Sequence, residues 1–450
     1  MFKKYHIPTE LAPSKKKIGE FLVKRNLDYC INCGDCIKAC LYEVHKKRQE
    51  DVRIMAEPDS YKCKGCFRCI MECPQGALSL HDNPEFFKLG DSYYTPKMVQ
   101  TIWNEAENGR VPVSGAGYNG NFSGPGFDSI WTDMSEIVRP TRDGIHGREY
   151  ISTAVDLGRK LPYLKFDSNK NIDGILPNIE IPLPILFNPP PHELNNKLLQ
   201  SIVANAATKL GTYAIINVDD YQELCNYNVI PRFSPDSNLD LELVQRAKII
   251  EVDYREDFIA DWTRLKNLHP DVLVSIRMPL KRNVGALVMD LTRRGVEIFH
   301  LYADYQGNEF EQEPRFITDS LKQVDYYLVD NCLRDQITII ASGGIGAAEH
   351  VPKTIAYGAN VVGIDIAYLI ALEIGQFNFH IQSFSPIEVA NMDFEWGTQR
   401  IINLMNSWRD QLLEVLGAMG MREVRRLQGE TGRTIFYVNE EKEFCELVGL

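Results

Sequence analysis

Cys30-Ile-Asn-Cys33-Gly-Asp-Cys36-Ile-Lys-Ala-Cys40 and Cys63-Lys-Gly-Cys66-Phe-Arg-Cys69-Ile-Met-Glu-Cys73-Pro74 repeat one pattern, C-x2-C-x2-C-x3-C. Together they hold 8 of the 11 cysteines in a chain of 450 residues. Three thiolates spaced in this way wrap one iron–sulfur cube in a tight loop, while the fourth, after a short helical step, points at the other cube. The spacing therefore predicts one 4Fe–4S cluster on Cys30, Cys33, Cys36 and Cys73, and a second on Cys63, Cys66, Cys69 and Cys40. Zinc also binds thiolates, but two C-x2-C pairs suffice for it and half of these sulfurs would be stranded. A disulfide framework would spread its bridges over the core and follow a signal peptide. The other three, Cys225, Cys332 and Cys445, read as buried small hydrophobes.

The composition, 44% hydrophobic and 24% charged, is that of a soluble chain with two or three domains. No run of about 18 uncharged apolar residues is present, and the start, Met-Phe-Lys-Lys-Tyr-His, leads to Lys15-Lys16-Lys17 rather than to a signal segment. A cytoplasmic location without a membrane span is expected. A net charge of −12 argues against nucleic-acid binding, and the short basic run Lys46-Lys47-Arg48 reads as a solvated loop.

Beyond the cysteines, Tyr94 to Gly109 reads as a helix opened by Thr95-Pro96. The segment Ser114 to Gly126 formally contains G-x-G-x-x-G, but its Ser-Gly-Pro-Gly ending forbids the helix that a dinucleotide site needs, so it reads as a loop between domains and no direct NAD(P) site is expected. From residue 180 short apolar runs alternate with amphipathic stretches. Strands are predicted at Ile181–Phe187, Tyr213–Asn217, Lys248–Val252, Val272–Met278, Glu297–Ala303, Ile337–Ala341 and Val361–Asp365. Helices are predicted at His192–Leu210, Val284–Arg294, Ile317–Cys332 and Glu349–Tyr357. This alternation predicts a TIM-like (β/α)8 barrel with one strand missing or disguised, and leaves an open doubly wound sheet as the alternative. Trp396 to Leu427 has helical periodicity, with Ile401, Leu404, Met405, Trp408, Leu412 and Leu416 on one face. The expected organisation is an α+β dicluster ferredoxin-like module over 1–90, a linking segment over 91–178, and the barrel with C-terminal helices over 179–450.

The cysteine module resembles the bacterial dicluster ferredoxin, with Pro74 after its second group and Leu41 where the first would carry proline. The order of module, linker and barrel, with Ala341-Ser342-Gly343-Gly344-Ile345-Gly346 and Gly358-Ala359-Asn360-Val361-Val362-Gly363-Ile364-Asp365, resembles the glutamate synthase-like, FMN-binding family in its short archaeal-type form. That resemblance implies FMN on the barrel, with Ser342, Gly343, Gly344, Gly346 and Gly363 as cofactor-binding residues near the phosphate. Late βα loops of such a barrel suit an anionic phosphate. Arg277 stands where the family carries a lysine near the flavin; a barrel-end ion pair is its other reading.

Several departures from the family stand out. Residue 2 is Phe and no glutaminase segment precedes the cysteines, so release of ammonia from glutamine is not expected. The glycine-rich loop after the strand counted third is replaced by Glu251-Val252-Asp253-Tyr254-Arg255-Glu256, and Asp365 stands where the family has Gly-Thr. Residues 366 to 444 contain no cysteine, so no third cluster is expected. Three functions follow: an iron–sulfur and flavin oxidoreductase subunit working with redox protein partners in a larger complex; a flavin-free electron-transfer subunit on a degenerate barrel; or an ammonia-dependent glutamate synthase, for which no substrate groups are evident.

Overall fold

Short β-branched and apolar runs, each too apolar for a surface strand, bury both faces only inside a parallel sheet covered by helices. In this protein they close on themselves. The computed structural model describes residues 5–114, 117–118, 124, 126–133, 150–160, 163–170, 172–173, 176–191, 194, 196–234, 245–374, 392–436, 442 and 445–449. In the first module β1 (Phe21–Arg25) and β2 (Leu78–Asp82) pair antiparallel, from Phe21↔Asp82 to Arg25↔Leu78, and α1 (Asp35–Ala39) and α2 (Arg68–Met71) each follow a cysteine loop. Next comes α3 (Pro96–Asn108). Thr95 caps it by accepting from the Met98 N–H, proline opens it, and Gly109 ends it at φ 68°.

The barrel runs β3 (Ile185–Phe187), β4 (Ala214–Asn217), β5 (Val229–Phe233), β6 (Ile249–Asp253), β7 (Leu273–Pro279), β8 (Ile298–Tyr302), β9 (Thr338–Ser342) and β10 (Val361–Ile364). Each strand pairs in parallel with the next, and β10 returns to β3 through Ile185↔Val362, Leu186↔Gly363 and Phe187↔Ile364. Closure excludes the open sheet. The strand that sequence reading missed is β5: Pro231 offers no N–H and Arg232 interrupts the apolar run, so Val229-Ile-Pro-Arg-Phe233 does not look like a central strand. Its presence makes β6 the fourth barrel strand, not the third, and the absent glycine-rich loop is thus a property of the fourth.

Outside the strands lie α4 (Lys197–Leu210), α5 (Phe258–Leu268), α6 (Val284–Arg293), α7 (Ile317–Asp330), α8 (His350–Ala356) and α9 (Ile366–Ala371), of which α5 and α9 are not among the helices expected from the sequence. The last long helix, α10 (Phe394–Ala418), buries Ile401, Leu404, Met405, Trp408, Leu412 and Leu416 and packs against α3 and α4. It stops before the predicted Leu427, because the chain turns at Gly420, φ 75°. Residues 115–116, 119–123 and 125 of the glycine-rich loop lie outside the described residues. Cys225 and Cys332 are exposed and Cys445 is partly exposed, contrary to the expectation of burial. Cys225 follows the single helical turn Tyr221–Leu224, and Cys332 sits at φ 55° just after α7, positions that face solvent outside the barrel wall. No described helix is long and apolar enough to cross a membrane.

Candidate cluster sites and barrel mouth

The two cysteine loops turn by the same device, left-handed residues on either side of the middle cysteine. These are Asn32 (φ 59°) and Gly34 (φ 85°) in the first loop, Gly65 (φ 66°) and Phe67 (φ 58°) in the second. The result is two cavities of nearly equal size. One, of about 350 Å³, is lined by Cys40, Cys63, Cys66 and Cys69; the other, of about 340 Å³, by Cys30, Cys33, Cys36 and Cys73. The fold thus brings the cysteines together in the crossed grouping expected from their spacing. Burial, and repulsion from Cys63, Cys40 and Cys66, pushes the Cys69 thiol up to about 11. Four thiolates gather there only around a cation, and such a donor set fits an iron–sulfur cluster. Arg25 stands beside the first cavity, its Nη2 3.9 Å from the Cys36 Sγ.

The second constellation lies at the C-terminal ends of the barrel strands. Arg232 on β5 makes a bidentate pair with Asp253 on β6, at 2.9 and 2.8 Å. Glu251 on β6 sits 2.7 Å from His300 Nδ1 on β8, and His300 Nε2 lies 2.8 Å from the Ser342 Oγ on β9. All three side chains are buried. Burial opposes charge on both Glu251 and His300, but His300, Arg277 and Arg232 together hold the Glu251 carboxyl below its ordinary value, while burial wins at His300 and lowers it. A carboxylate beside a neutral imidazole places the proton on Nδ1, so Nε2 accepts from the Ser342 hydroxyl. Arg277 on β7 stacks 4.0 Å over the Tyr302 ring, and its Nε is 3.9 Å from Glu251. That is the expected ion pair, but a loose one: the Arg277 Nε and Nη1 and the Glu251 Oε1 are buried without a hydrogen-bond partner.

The remaining predicted residues fall into two groups. Gly343 and Gly344 take φ values of 109° and 71°, and a Cβ on Gly344 would stand 2.8 Å from Gly307 and from the Tyr93 hydroxyl. Gly346 meets Tyr94 and Met98 at the same distance and donates its N–H to His350 Nδ1 at 3.1 Å. The β9 loop is therefore packed tightly beneath the segment that leads into α3. Gly363 lies within β10 rather than in a loop, where a Cβ would stand 2.7 Å from the Asn188 Oδ1. Asp365 caps α9, accepting from the Ile366 N–H at 2.6 Å, and burial pushes its carboxyl up to about 6. Sequence reading missed the Glu251–His300–Ser342 chain. The available signal was a polar residue in the middle of each apolar run, Ile-Ile-Glu-Val and Ile-Phe-His-Leu.

Comparison with known proteins finds relatives of both parts of the chain. Residues 22–74 match the 4Fe-4S dicluster domain, and residues 314–422, from α7 through the β9 loop and β10 into α10, match the conserved region in glutamate synthase. An archaeal-type glutamate synthase (NADPH) of Dehalococcoides mccartyi is 25% identical over 477 residues, covering 91% of this chain and 94% of that protein. The archaeal glutamate synthase (NADPH) of Archaeoglobus fulgidus is 25% identical over 485 residues, covering 92% and 93%. Among solved structures, mandelate oxidase with a difluorinated hydroxy acid aligns at 13% identity and a TM-score of 0.44, covering 78% of this chain and 93% of that one. The chain joins a 4Fe-4S dicluster domain to the conserved region of glutamate synthase and is similar to archaeal-type glutamate synthases along nine-tenths of its length.

Proposed function

We propose that this chain is an oxidoreductase subunit that relays electrons through two 4Fe–4S clusters to or from FMN held at the barrel mouth, within a larger redox complex. The observation that carries the reading is the gathering of eight cysteines into two four-sulfur cavities in a module joined to a barrel of glutamate synthase type. Bound FMN would supply the step from one-electron to two-electron chemistry. For that group, Arg277 offers orphaned guanidinium nitrogens to an electron-rich ring edge, and the Ser342-Gly343-Gly344 turn offers backbone beside the phosphate. Asp365 already occupies the first N–H of α9, which leaves the β9 loop to meet a phosphate. Glu251 and His300 fix the Ser342 hydroxyl inward and give the mouth a buried negative charge that balances Arg277.

The relatives carry NADPH in their names. In this chain nicotinamide electrons would arrive through a partner protein, since its one G-x-G-x-x-G run does not open a helix in sequence. The flavin-free reading is favoured by Asp365, whose carboxylate, when ionised, repels a phosphate. Extraction of anaerobically purified protein decides between them: near-stoichiometric FMN beside about eight irons supports the flavin relay. Full iron with no flavin would leave an electron-transfer subunit on a barrel scaffold.

A further inference from the structure

We propose that the two clusters occupy fixed and different stations. The cluster on Cys40, Cys63, Cys66 and Cys69 is the inner one and exchanges electrons with the barrel across the first turn of α3. The cluster on Cys30, Cys33, Cys36 and Cys73 is the outer one and meets the redox protein partner. This ordering rests on the iron–sulfur relay reading above and adds a direction in space to it.

The strand ends carry the first part of the argument. Both strands of the module leave toward the barrel from one end, where Asn83 clamps them together, its N–H donating to the Glu20 carbonyl at 3.0 Å and its side chain to the Gly19 carbonyl at 2.7 Å. The second cysteine loop lies at that end: a Cβ on Gly65 would stand 2.6 Å from the Phe21 ring. Arg25 and Leu78, paired at the opposite end, line the first cavity. At about 3.3 Å per residue, the four steps from Phe21 to Arg25 separate the two ends by roughly 13 Å.

A shared wall carries the second part. Tyr42 and Lys64 line the second cavity and also a cleft of about 900 Å³ whose far side is Gln100, Asn104, Glu107 and Asn108 of α3. The lining of the first cavity belongs wholly to residues 25–78. From the wall the packing continues inward. Lys97, in the first turn of α3, lies three and seven residues before Gln100 and Asn104 and so shares their face of the helix. Just before that turn the Tyr93 hydroxyl donates to the Gly344 carbonyl at 2.6 Å and the Tyr94 hydroxyl to the Tyr305 carbonyl at 2.7 Å, with the two rings 5.1 Å apart. The second cavity thus faces α3 across this cleft, and the residues that lead into α3 are bonded directly to the barrel mouth. Exposure alone does not order the clusters, because each loop shows an apolar side chain to solvent, Ile31 in the first and Phe67 in the second. Each step moves one electron and changes no bond: the partner and the outer cluster exchange it, then the outer and inner clusters, then the inner cluster and the acceptor in the barrel.

The test uses the full chain with both clusters, carrying Cys225→Ser, Cys332→Ser and Cys445→Ser, and a nitroxide label at Lys97→Cys or, separately, at Tyr29→Cys. Arg25→Met and Lys64→Met identify the clusters, since loss of a neighbouring cation makes the affected cluster titrate at a more negative potential. The label at 97 should relax several-fold faster when the Lys64-sensitive cluster is reduced, and the label at 29 when the Arg25-sensitive cluster is. An equal or stronger response of the label at 97 to the Arg25-sensitive cluster overturns the ordering. Asn104→Cys provides a second α3 position should Lys97→Cys fail to retain iron. Flavin is assayed in the same samples, so its absence beside the expected relaxation pattern would sink the flavin reading while the ordering stands.

Discussion

The cysteine module and the barrel solve the problem of burial in opposite ways. The module's own core is Val23, Val44, Met55 and Leu78 with the sulfurs of Cys36 and Cys63, packed around two cavities. The barrel has a continuous core from Ile185 to Ile374, with buried polar pairs such as Arg334–Asp325 and Glu251–His300 inside it. A domain of roughly 60 residues is marginal without a metal or a disulfide to supplement its core. The difference teaches where each part keeps its stability: the module in iron–sulfur bonds, the barrel in packing and in ion pairs closed within the protein.

The largest effect should come from removing iron. Anaerobic chelation is expected to abolish hydrogen-exchange protection of β1 and β2, while amides of β3 to β10 stay protected. Protection persisting in β1 and β2 without iron would break the contrast, because the apolar residues alone would then hold the module.

The converse cut falls on Arg334. It is buried, donates to Asp325 at 2.7 Å and to the Asn360 Oδ1 at 2.8 Å, and also bonds the Gly358 carbonyl, tying α7 to the turn before β10. Arg334→Ala leaves Asp325 buried and unpaired, a loss of about 3–5 kcal/mol. Denaturant melts followed by barrel tryptophan fluorescence should show it, with the cluster absorbance of the folded protein unchanged. Loss of iron at the same denaturant concentration as the barrel would mean that the two parts unfold as one unit.

The same contrast governs what could be read from sequence. Three cysteines of each set are neighbours in the chain and the fourth comes from the other motif by a known rule, so spacing groups them, and the two cavities gather them in that grouping. The barrel mouth is assembled from residues such as Glu251, Arg277, His300 and Ser342, brought together by strand register, for instance Arg277↔His300 and Tyr302↔Ser342. Register cannot be counted until every strand is known, and Pro231 hid one of them. Arg277 was found because it follows an apolar run at a recognisable place; Glu251 was read only as part of a charged stretch. The glycines of the β9 loop were visible, but not that Tyr93, Tyr94 and Met98 press on them.

A smaller effect sharpens the barrel side. Burial raises the Asp365 carboxyl from its ordinary value of 3.8 to about 6. The folded protein therefore keeps a proton that the unfolded chain releases, and stability falls as pH rises through that window. The total is roughly 3 kcal/mol, lost by the time pH passes the folded value. Asp365→Asn keeps an acceptor for the Ile366 N–H and removes the titration, so the variant should lack this part of the decline and be more stable at pH 7. Glu105, which burial holds up to about 8 between α3 and α10, imposes a separate decline common to both proteins. Denaturant midpoints taken from pH 4 to 8 isolate the difference, and superimposable curves would show that Asp365 ionises without cost.

The smallest effect lies between the two halves of the module. The first loop puts glycine at its second left-handed position, Gly34 at φ 85°, whereas the second puts Phe67 there at φ 58°. A side chain in that conformation costs about 1–2 kcal/mol, and the Phe67 ring recovers little, being 55% exposed. Phe67→Gly should therefore raise the module's stability by about 1 kcal/mol, a little less than the strain because glycine also loosens the unfolded chain. Gly34→Ala, in a setting with no contact closer than 3.7 Å, should lower it by a similar amount. Chelator-driven release of iron, followed cluster by cluster through its EPR signal, reads both variants. Opposite shifts, each confined to its own cluster, are what equal backbone geometry in the two loops requires. A loss of iron from Phe67→Gly would mean instead that the ring shields the second cluster from solvent, and that the halves differ in how they exclude water rather than in how they turn.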